Sequence, residues 1–346
     1  MNPRANMILS LSLLLGTTIA TSSNHWVMIW TGLEINTLAI IPMISKSHHP
    51  RAIEAAIKYF LVQATASTLI LFSSTINAWT TGQWDIMQLT NQTACMLLTA
   101  AIAMKLGLVP FHFWFPEVLQ GSSLITALLL STMMKLPPIT ILFLSSSSLN
   151  PPLLTTMAIS SIALGGWMGL NQTQVRKILA FSSISHLGWM SAIIIYNPKL
   201  TLLTFYLYSI MTAAIFLTIN STKTVKLSTT MISWTKTPAL NATMMLTLLS
   251  LAGLPPLTGF LPKWLIIQEL TKQEMATTAT IIATLSLLSL FFYLRLAYHS
   301  TITMPPNSAN HMKHWHTYKQ PTILAAILIT LSTLLLPLSP TTLAII

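Results

Sequence analysis

The chain has 346 residues, of which 53% are hydrophobic and only 7% charged, whereas a soluble globular domain carries about a quarter charged residues. So little charge cannot cover a water-facing surface of this size, and the bilayer is the solvent that removes the need. The formal charge of +11 would suggest nucleic acid in a soluble protein. Here no basic stripe with interleaved aromatics exists, and the charges fall mostly between apolar runs, where they set topology.

Runs of about 20 apolar residues recur from end to end, with no Gly/Ser linker or charged block between them. One membrane domain covering 1–346, with no soluble domain, is therefore expected. Arg4 leads directly into an apolar run without a typical cleavage site, so this segment reads as a span and not as a removable signal. About eleven spans are expected, at roughly 5–22, 25–45, 54–79, 92–118, 122–145, 152–170, 175–196, 200–221, 239–271, 275–298 and 322–340. The fourth and ninth are long and contain Gly and Pro.

Charge tests that count. Alternating loops place Arg4, Lys46, Arg51, Arg176, Lys177, Lys223, Lys226, Lys236, Lys313 and Lys319 on the N-terminal side, and only Lys199 and Lys272 on the other. This positive-inside bias puts the N-terminus in the cytoplasm or matrix and the C-terminus opposite. Trp26, Trp79, Trp84, Trp189, Trp234 and Trp315 fall near expected span ends and read as an interfacial aromatic belt. Cys95 is the only cysteine, which excludes an intrachain disulfide, a CxxC pair, a c-type haem attachment and a Cys-ligated iron–sulfur cluster. The Asn-x-Ser/Thr matches at Asn91, Asn171, Asn220 and Asn241 are chance in so Thr-rich a chain.

The two interrupted spans resemble each other. Gly107-Leu108-Val109-Pro110 followed by Pro116 matches Gly253-Leu254-Pro255-Pro256 followed by Pro262 at one constant offset. One span earlier in each case, Pro50-Arg51 ahead of Lys58-Tyr59-Phe60 matches Pro198-Lys199 ahead of Tyr206-Leu207-Tyr208 at a nearly equal offset. A duplicated unit of five spans follows, about 5–145 and 152–298, with a C-terminal helix at about 322–340. An odd number of spans inverts the second copy, and inverted repeats with broken helices are a transporter signature. A helix break exposes backbone polar groups, which the membrane tolerates only where protein or a water-filled cavity satisfies them.

Ionisable residues lie inside these spans. Glu34 is at the middle of the second span, where a carboxylate must be paired, protonated or wet. Lys105 ends the first half of the fourth span, Lys263 begins the second half of the ninth, and Lys135 sits mid-span just before Pro137-Pro138. Snorkelling explains such lysines poorly at mid-depth. An ammonium in a dry segment is switched between charged and neutral when a carboxylate approaches or withdraws, which is the chemistry of a proton pump. Glu34 with Lys105 is the candidate gating pair, with Lys135 and Lys263 as later stations. His112, inside the first break, and His186, central in the seventh span, are candidate relays and equally read as hydrogen-bonded core histidines. Ser182, Ser183 and Ser185 could support a water wire, although serine at a helix contact is the commoner use. Glu54 and Lys58 form a local i,i+4 pair. Arg295, near a span end, snorkels. His311, His314 and His316 form a loop cluster that reads as solvated rather than metal-binding.

The run Lys105 to Glu117 (KLGLVPFHFWFPE) resembles the broken-helix motif of the antiporter-like membrane subunits of complex I. Gly253 to Trp264 and Asn171 to Lys177 fit as well, and the resemblance covers essentially the whole chain. Length, the Met-Asn-Pro start and the segment from His25-Trp26 to Pro42 resemble the mitochondrially encoded animal branch. The resemblance implies an all-α fold of two inverted five-helix bundles whose broken helices face a hydrophilic axis. It assigns the gating glutamate to Glu34 and the central lysines to Lys105, Lys135 and Lys263. It further implies proton transfer across the mitochondrial inner membrane, driven by ubiquinone reduction elsewhere in the complex. No cofactor or metal is expected in this chain; NADH, FMN, iron–sulfur clusters and ubiquinone are expected on partner subunits. The partners would be other membrane-arm and accessory subunits and membrane lipids such as cardiolipin, with no nucleic acid. The wider family has about three further spans ahead of the first one here.

Three other readings stand beside this one. A stand-alone cation/proton antiporter would use the same repeats, though the chain lacks an intramembrane Asp pair for sodium. A membrane cytochrome would need facing histidine pairs, and only His112 and His186 are deep. A structural spacer leaves a mid-depth Glu and three Lys unexplained.

Overall fold

The computed structural model describes residues 3–301 and 323–339. It is helical, with no strands among the described residues, only isolated bridges. In chain order the helices are α1 (Pro3–Ser22), α2 (Trp26–Ile44), α3 (Pro50–Thr81), α4 (Gln92–Leu106), α5 (Trp114–Gly121), α6 (Leu124–Ser131), α7 (Leu136–Leu144), α8 (Pro151–Leu170), α9 (Val175–Ile193), α10 (Pro198–Thr222), α11 (Leu227–Lys236), α12 (Pro238–Ala252), α13 (Phe260–Lys272), α14 (Ala276–Thr301) and α15 (Ile323–Leu334). Among the described residues seven segments are long and apolar enough to cross a membrane: α1, α2, α3, Leu124–Leu144, α8, α10 and most of α14. α4, α12 and α15 are shorter apolar helices.

The chain forms two compact units, Met1–Ser161 with Met190–Pro198, and Ile162–Trp189 with Lys199–Ile346. In the first, α1 and α2 approach backbone to backbone. A Cβ added at Gly32 would stand 2.8 Å from Ala20 N and 2.9 Å from the Gly16 carbonyl. Small residues permit such packing where no water-driven force joins helices. Asn36 clasps the pair: its amide donates to the Leu13 carbonyl at 2.9 Å and accepts from Thr17 N at 3.3 Å. α3, at 32 residues, is about 48 Å long and packs on α2, α4 and α5. In the second unit α14 packs on α11, α12 and α13. Gly166 and Gly169 of α8 lie against α14 at Leu288 and Phe292.

Both interrupted spans break as the Gly and Pro pattern requires. Gly107 ends α4 at φ 77° and Gly253 ends α12 at φ 80°, left-handed caps that glycine adopts freely. Leu108 N returns to the Ala103 carbonyl at 2.9 Å, and the prolines just beyond cannot continue the helix.

Three sequence expectations need correction. The span expected at 122–145 is present at Leu124–Leu144, but its helix is interrupted: α6 stops at Ser131, a tight turn covers Met133–Lys135, and α7 restarts at Leu136. Pro137 and Pro138 lack the N–H groups that would bond the preceding turn, and they fit only a first helical turn. Lys135 therefore sits at a break, not mid-helix. The segment read as a loop before the ninth span contains α11, with Asn241 of α12 donating to the Ser233 hydroxyl at 2.9 Å. The aromatic belt is also partial. Trp26 is 1% exposed and Trp189 5%, both core residues, whereas Trp79 is 93% exposed. Trp315, Lys313, Lys319 and the cluster of His311, His314 and His316 lie outside the described residues, as does the side chain of Trp234.

The polar content of the helices is largely satisfied locally. Serine and threonine hydroxyls donate to carbonyls three or four residues back throughout, for example Ser73 to Ile70 O at 2.8 Å and Thr247 to Met244 O at 2.9 Å. Exposed large apolar residues such as Met7, Leu15, Phe72 and Ile323 would be a liability in water and suit lipid or partner helices.

Candidate functional site

In the first unit the polar centre lies among α2, α3, α4, α5 and the break between α6 and α7. A cavity of about 20 Å³ is lined by Leu33, Asn36, Thr37, Tyr59, Gln63, Lys105, Trp114, Phe115, Leu130, Met134, Lys135 and Pro138. That volume holds roughly one water molecule. Lys105 and Lys135 both reach it and both are buried. The Gly107 cap ends α4 just after Lys105, and the Trp114 indole donates to the Met104 carbonyl at 3.2 Å, pinning the first break. The Lys135 ammonium stands 4.4 Å over the Phe115 ring, a cation–π contact.

Glu34 is on the turn of α2 that contributes Leu33, Asn36 and Thr37 to the cavity wall. Its backbone carbonyl accepts from the Thr37 hydroxyl at 2.9 Å. Its Oε2 is buried without a hydrogen-bond partner among the described residues, and so is Lys105 Nζ. No ion pair joins the two: the carboxylate and the ammonium are not closed into a pair. Gln63, one turn beyond Tyr59 on α3, is 4% exposed and lines the same cavity.

His112 lies buried in the break after α4, its ring 4.2 Å from that of Phe113. The local pair of Glu54 and Lys58 is present and larger than the i,i+4 spacing indicates. Lys58 Nζ bonds Glu54 Oε1 and Glu117 Oε2, each at 2.5 Å. Glu117 belongs to α5, whose end packs on the start of α3 at Gly121.

The second unit has its own polar centre. Lys263 follows Pro262 in the first turn of α13 and folds back over the α12 cap. Its ammonium donates to the Ala252 carbonyl at 2.8 Å and lies 5.9 Å from the Trp189 ring. The carbonyl it bonds is one the helix break leaves open. His186 of α9 stacks obliquely on Tyr208 at 5.3 Å, and Tyr293 Oη lies 3.5 Å from His186 Nε2. Arg295, expected to snorkel, instead caps carbonyls: Nη1 donates to Leu170 O and Nη2 to Gln172 O at 2.7 Å.

The sequence singled out Glu34, Lys105, Lys135, Lys263, His112 and His186, of which the cavity gathers Lys105 and Lys135. Sequence reasoning missed Tyr59 and Gln63, which the cavity gathers with those two lysines, and Trp189, Tyr208 and Tyr293 in the second unit. Among the described residues no group of His, Cys, Asp or Glu could hold a metal ion.

The chain matches the family described as NADH:quinone oxidoreductase/Mrp antiporter, TM, over residues 23–289, and the NADH dehydrogenase subunit 2 C-terminus over residues 290–343. NADH-ubiquinone oxidoreductase chain 2 of Struthio camelus is 75% identical over 344 residues, 99% of each chain. That of Gallus gallus is 75% identical over 340 residues, 98% of each. Among solved structures, a chain of respiratory complex I from Thermus thermophilus with bound aureothin has a TM-score of 0.83 at 25% identity, covering 96% of this chain and 79% of its own. A chain of the Mrp complex from Dietzia sp. DQ12-45-1b, at 19% identity and a TM-score of 0.82 over 97% of this chain and 75% of its own, shares the fold. On relatives this similar over their whole length, the chain belongs to the family of NADH-ubiquinone oxidoreductase chain 2.

Proposed function

We propose that this chain is a membrane-arm subunit of respiratory complex I and carries protons across the mitochondrial inner membrane, coupled to NADH oxidation and ubiquinone reduction on partner subunits. The observation that carries the mechanism is the uncombined pair of Glu34 and Lys105. Glu34, with its Oε2 buried, and the buried Lys105 carry opposite charges on α2 and α4 without a bond between them, and Lys105 lines a water-sized cavity that Lys135 also reaches.

In a dry segment an isolated charge is costly. When Glu34 is ionised and close, it stabilises the protonated Lys105. When Glu34 is neutralised or drawn away, Lys105 loses that support and releases its proton toward the cavity. Lys135 is the next acceptor, held over the Phe115 face, which favours its charged form. Lys263, His186 and the tyrosines Tyr208 and Tyr293 form a later station, and His112 a relay in the first break. The two left-handed glycine caps, each followed by proline and accompanied by a lysine, are the counterpart elements of two inverted repeats. We place the N-terminus on the matrix side and the C-terminus on the intermembrane-space side, following the positive-inside distribution.

Moving one charge against the membrane potential costs about 2.3 kcal/mol per 100 mV. The driver belongs to partner chains bearing NADH, FMN, iron–sulfur and ubiquinone sites. Other complex I membrane and accessory subunits, and lipids such as cardiolipin, are the partners.

The test is Lys105→Met in the assembled complex. The proton-to-electron ratio in coupled vesicles should fall while the complex still runs as a large NADH-oxidising band on a native gel. A normal ratio in the assembled variant overturns the proposed role.

A further inference from the structure

Between Glu117 and Glu269 the sequence contains no acidic residue, yet that interval carries Arg176, Lys177, Lys223 and Lys226. In the second unit these four come together. Gln174 and Lys226 face each other in an antiparallel bridge; Val175 N donates to Val225 O and Leu227 N to Thr173 O, both at 3.1 Å. Arg295 of α14 joins the same knot through its bonds to Leu170 and Gln172. The ends of α8 and α10, the starts of α9 and α11 and the late turns of α14 therefore converge on one basic surface. No carboxylate among the described residues pairs with Lys177, Lys223 or Lys226. Glu274 precedes the far end of α14, about 30 Å from Arg295 at 1.5 Å per residue, well beyond the Debye length of about 8 Å.

The surface next to this knot is apolar. Leu287, Phe291, Leu294 and Tyr298 are exposed on α14, and their spacing sets them in one stripe along the helix. The stripe runs past the level of Arg295 to Tyr298.

We propose that this surface binds an anionic phospholipid, its phosphate held by Lys177, Lys223 and Lys226 and an acyl chain lying along the α14 stripe. The three lysines stand at the ends of membrane helices, where headgroups lie, and no carboxylate among the described residues pairs with them. Topology alone asks only that basic residues occupy one side; it does not ask that separate loops be hydrogen-bonded into one cluster. The α9 start adds its helix dipole, which favours phosphate. A lipid is favoured over an acidic protein segment because the apolar stripe continues from the charged site down a membrane helix. This inference rests on the chain being embedded in a membrane and not on its proton chemistry.

The experiment uses the intact complex in its native membrane. It is labelled with phosphatidylglycerol bearing a diazirine acyl chain, or with the matched phosphatidylcholine, and the labelled peptides are mapped by mass spectrometry. Phosphatidylglycerol should label residues 287–298 preferentially, and the preference should fall about fivefold for each lysine removed in Lys177→Gln, Lys223→Gln and Lys226→Gln, with NADH oxidation unchanged. Should a variant fail to assemble, raising the salt concentration on the native complex should abolish the preference. Equal labelling by both lipids, a preference that survives salt, or carbodiimide coupling of these lysines to a carboxylate of a neighbouring protein chain would each overturn the proposal. Loss of lipid preference with normal pumping, or the reverse, separates this site from the proton path.

Discussion

Substituting Gly253 asks whether the position of the Lys263 ammonium matters. At φ 80° any residue with a Cβ is strained, by about 1–2 kcal/mol. An alanine methyl there would also stand 2.9 Å from Lys263 Cδ and 3.1 Å from its Cε and Nζ. The lysine must swing away and give up its 2.8 Å bond to the Ala252 carbonyl, a charge-assisted contact of about 1.5–3 kcal/mol. Gly253→Ala should therefore lose roughly 2.5–5 kcal/mol in all. Gly82 and Gly107 provide matched controls. Gly82 has φ 72° with nothing within 4 Å of an added Cβ, and Gly107 has φ 77° with the Phe115 and Trp114 side chains at 3.6 Å, ordinary contact. All three substitutions impose the same backbone strain, and only one displaces a lysine. The assay is the thermal loss of the assembled complex on native gels, followed by the proton-to-electron ratio of the surviving fraction. Gly82→Ala and Gly107→Ala should show a modest stability loss and a normal ratio. Gly253→Ala should show a lowered ratio as well. If its ratio equals that of Gly82→Ala, the location of the Lys263 ammonium is irrelevant to proton movement and the reasoning fails.

Two further outcomes follow from the same geometry. Gln63→Leu preserves the approximate volume of a buried side chain while removing the amide that faces the Lys105–Lys135 cavity; assembly should persist and the proton-to-electron ratio should fall, read in coupled vesicles. Arg295→Leu leaves the Leu170 and Gln172 carbonyls without their donors at about 1–3 kcal/mol each, and should lower the midpoint for heat dissociation of the complex. Arg295→Lys should recover only part of that loss, because an ammonium cannot reproduce the guanidinium fork.

The membrane class, most helix boundaries and both broken helices were legible because hydrophobic run length and the Gly–Pro spacing are local signals. Lys105 and Lys263 stood out for the same reason: each is adjacent in sequence to the break that exposes it. The break at Lys135 was less visible, since Pro137 and Pro138 carry no accompanying glycine and the flanking residues are uniformly apolar. Tyr59 and Gln63 could not be singled out. Within a long helix a tyrosine and a glutamine look like ordinary interfacial or packing residues until α4 and α5 close over them. Glu117 joins Lys58 across a long stretch of chain, and no spacing rule connects them. Trp26 and Trp189 misled because proximity to a span end does not say which way an indole points. Trp189 is turned inward toward Lys263.

The serine row of α9 has a consequence for how a proton could traverse it. Ser182 donates to Leu179 O at 2.8 Å, Ser183 to Ala180 O at 2.7 Å and Ser185 to Ser182 O at 2.7 Å. A hopping chain needs every link both to give and to take a hydrogen, and a serine hydroxyl has one hydrogen to give. With that hydrogen committed to the backbone, each of these hydroxyls only receives. The row is an insulator in this conformation, and rotation of a single χ1 turns a link into a conductor.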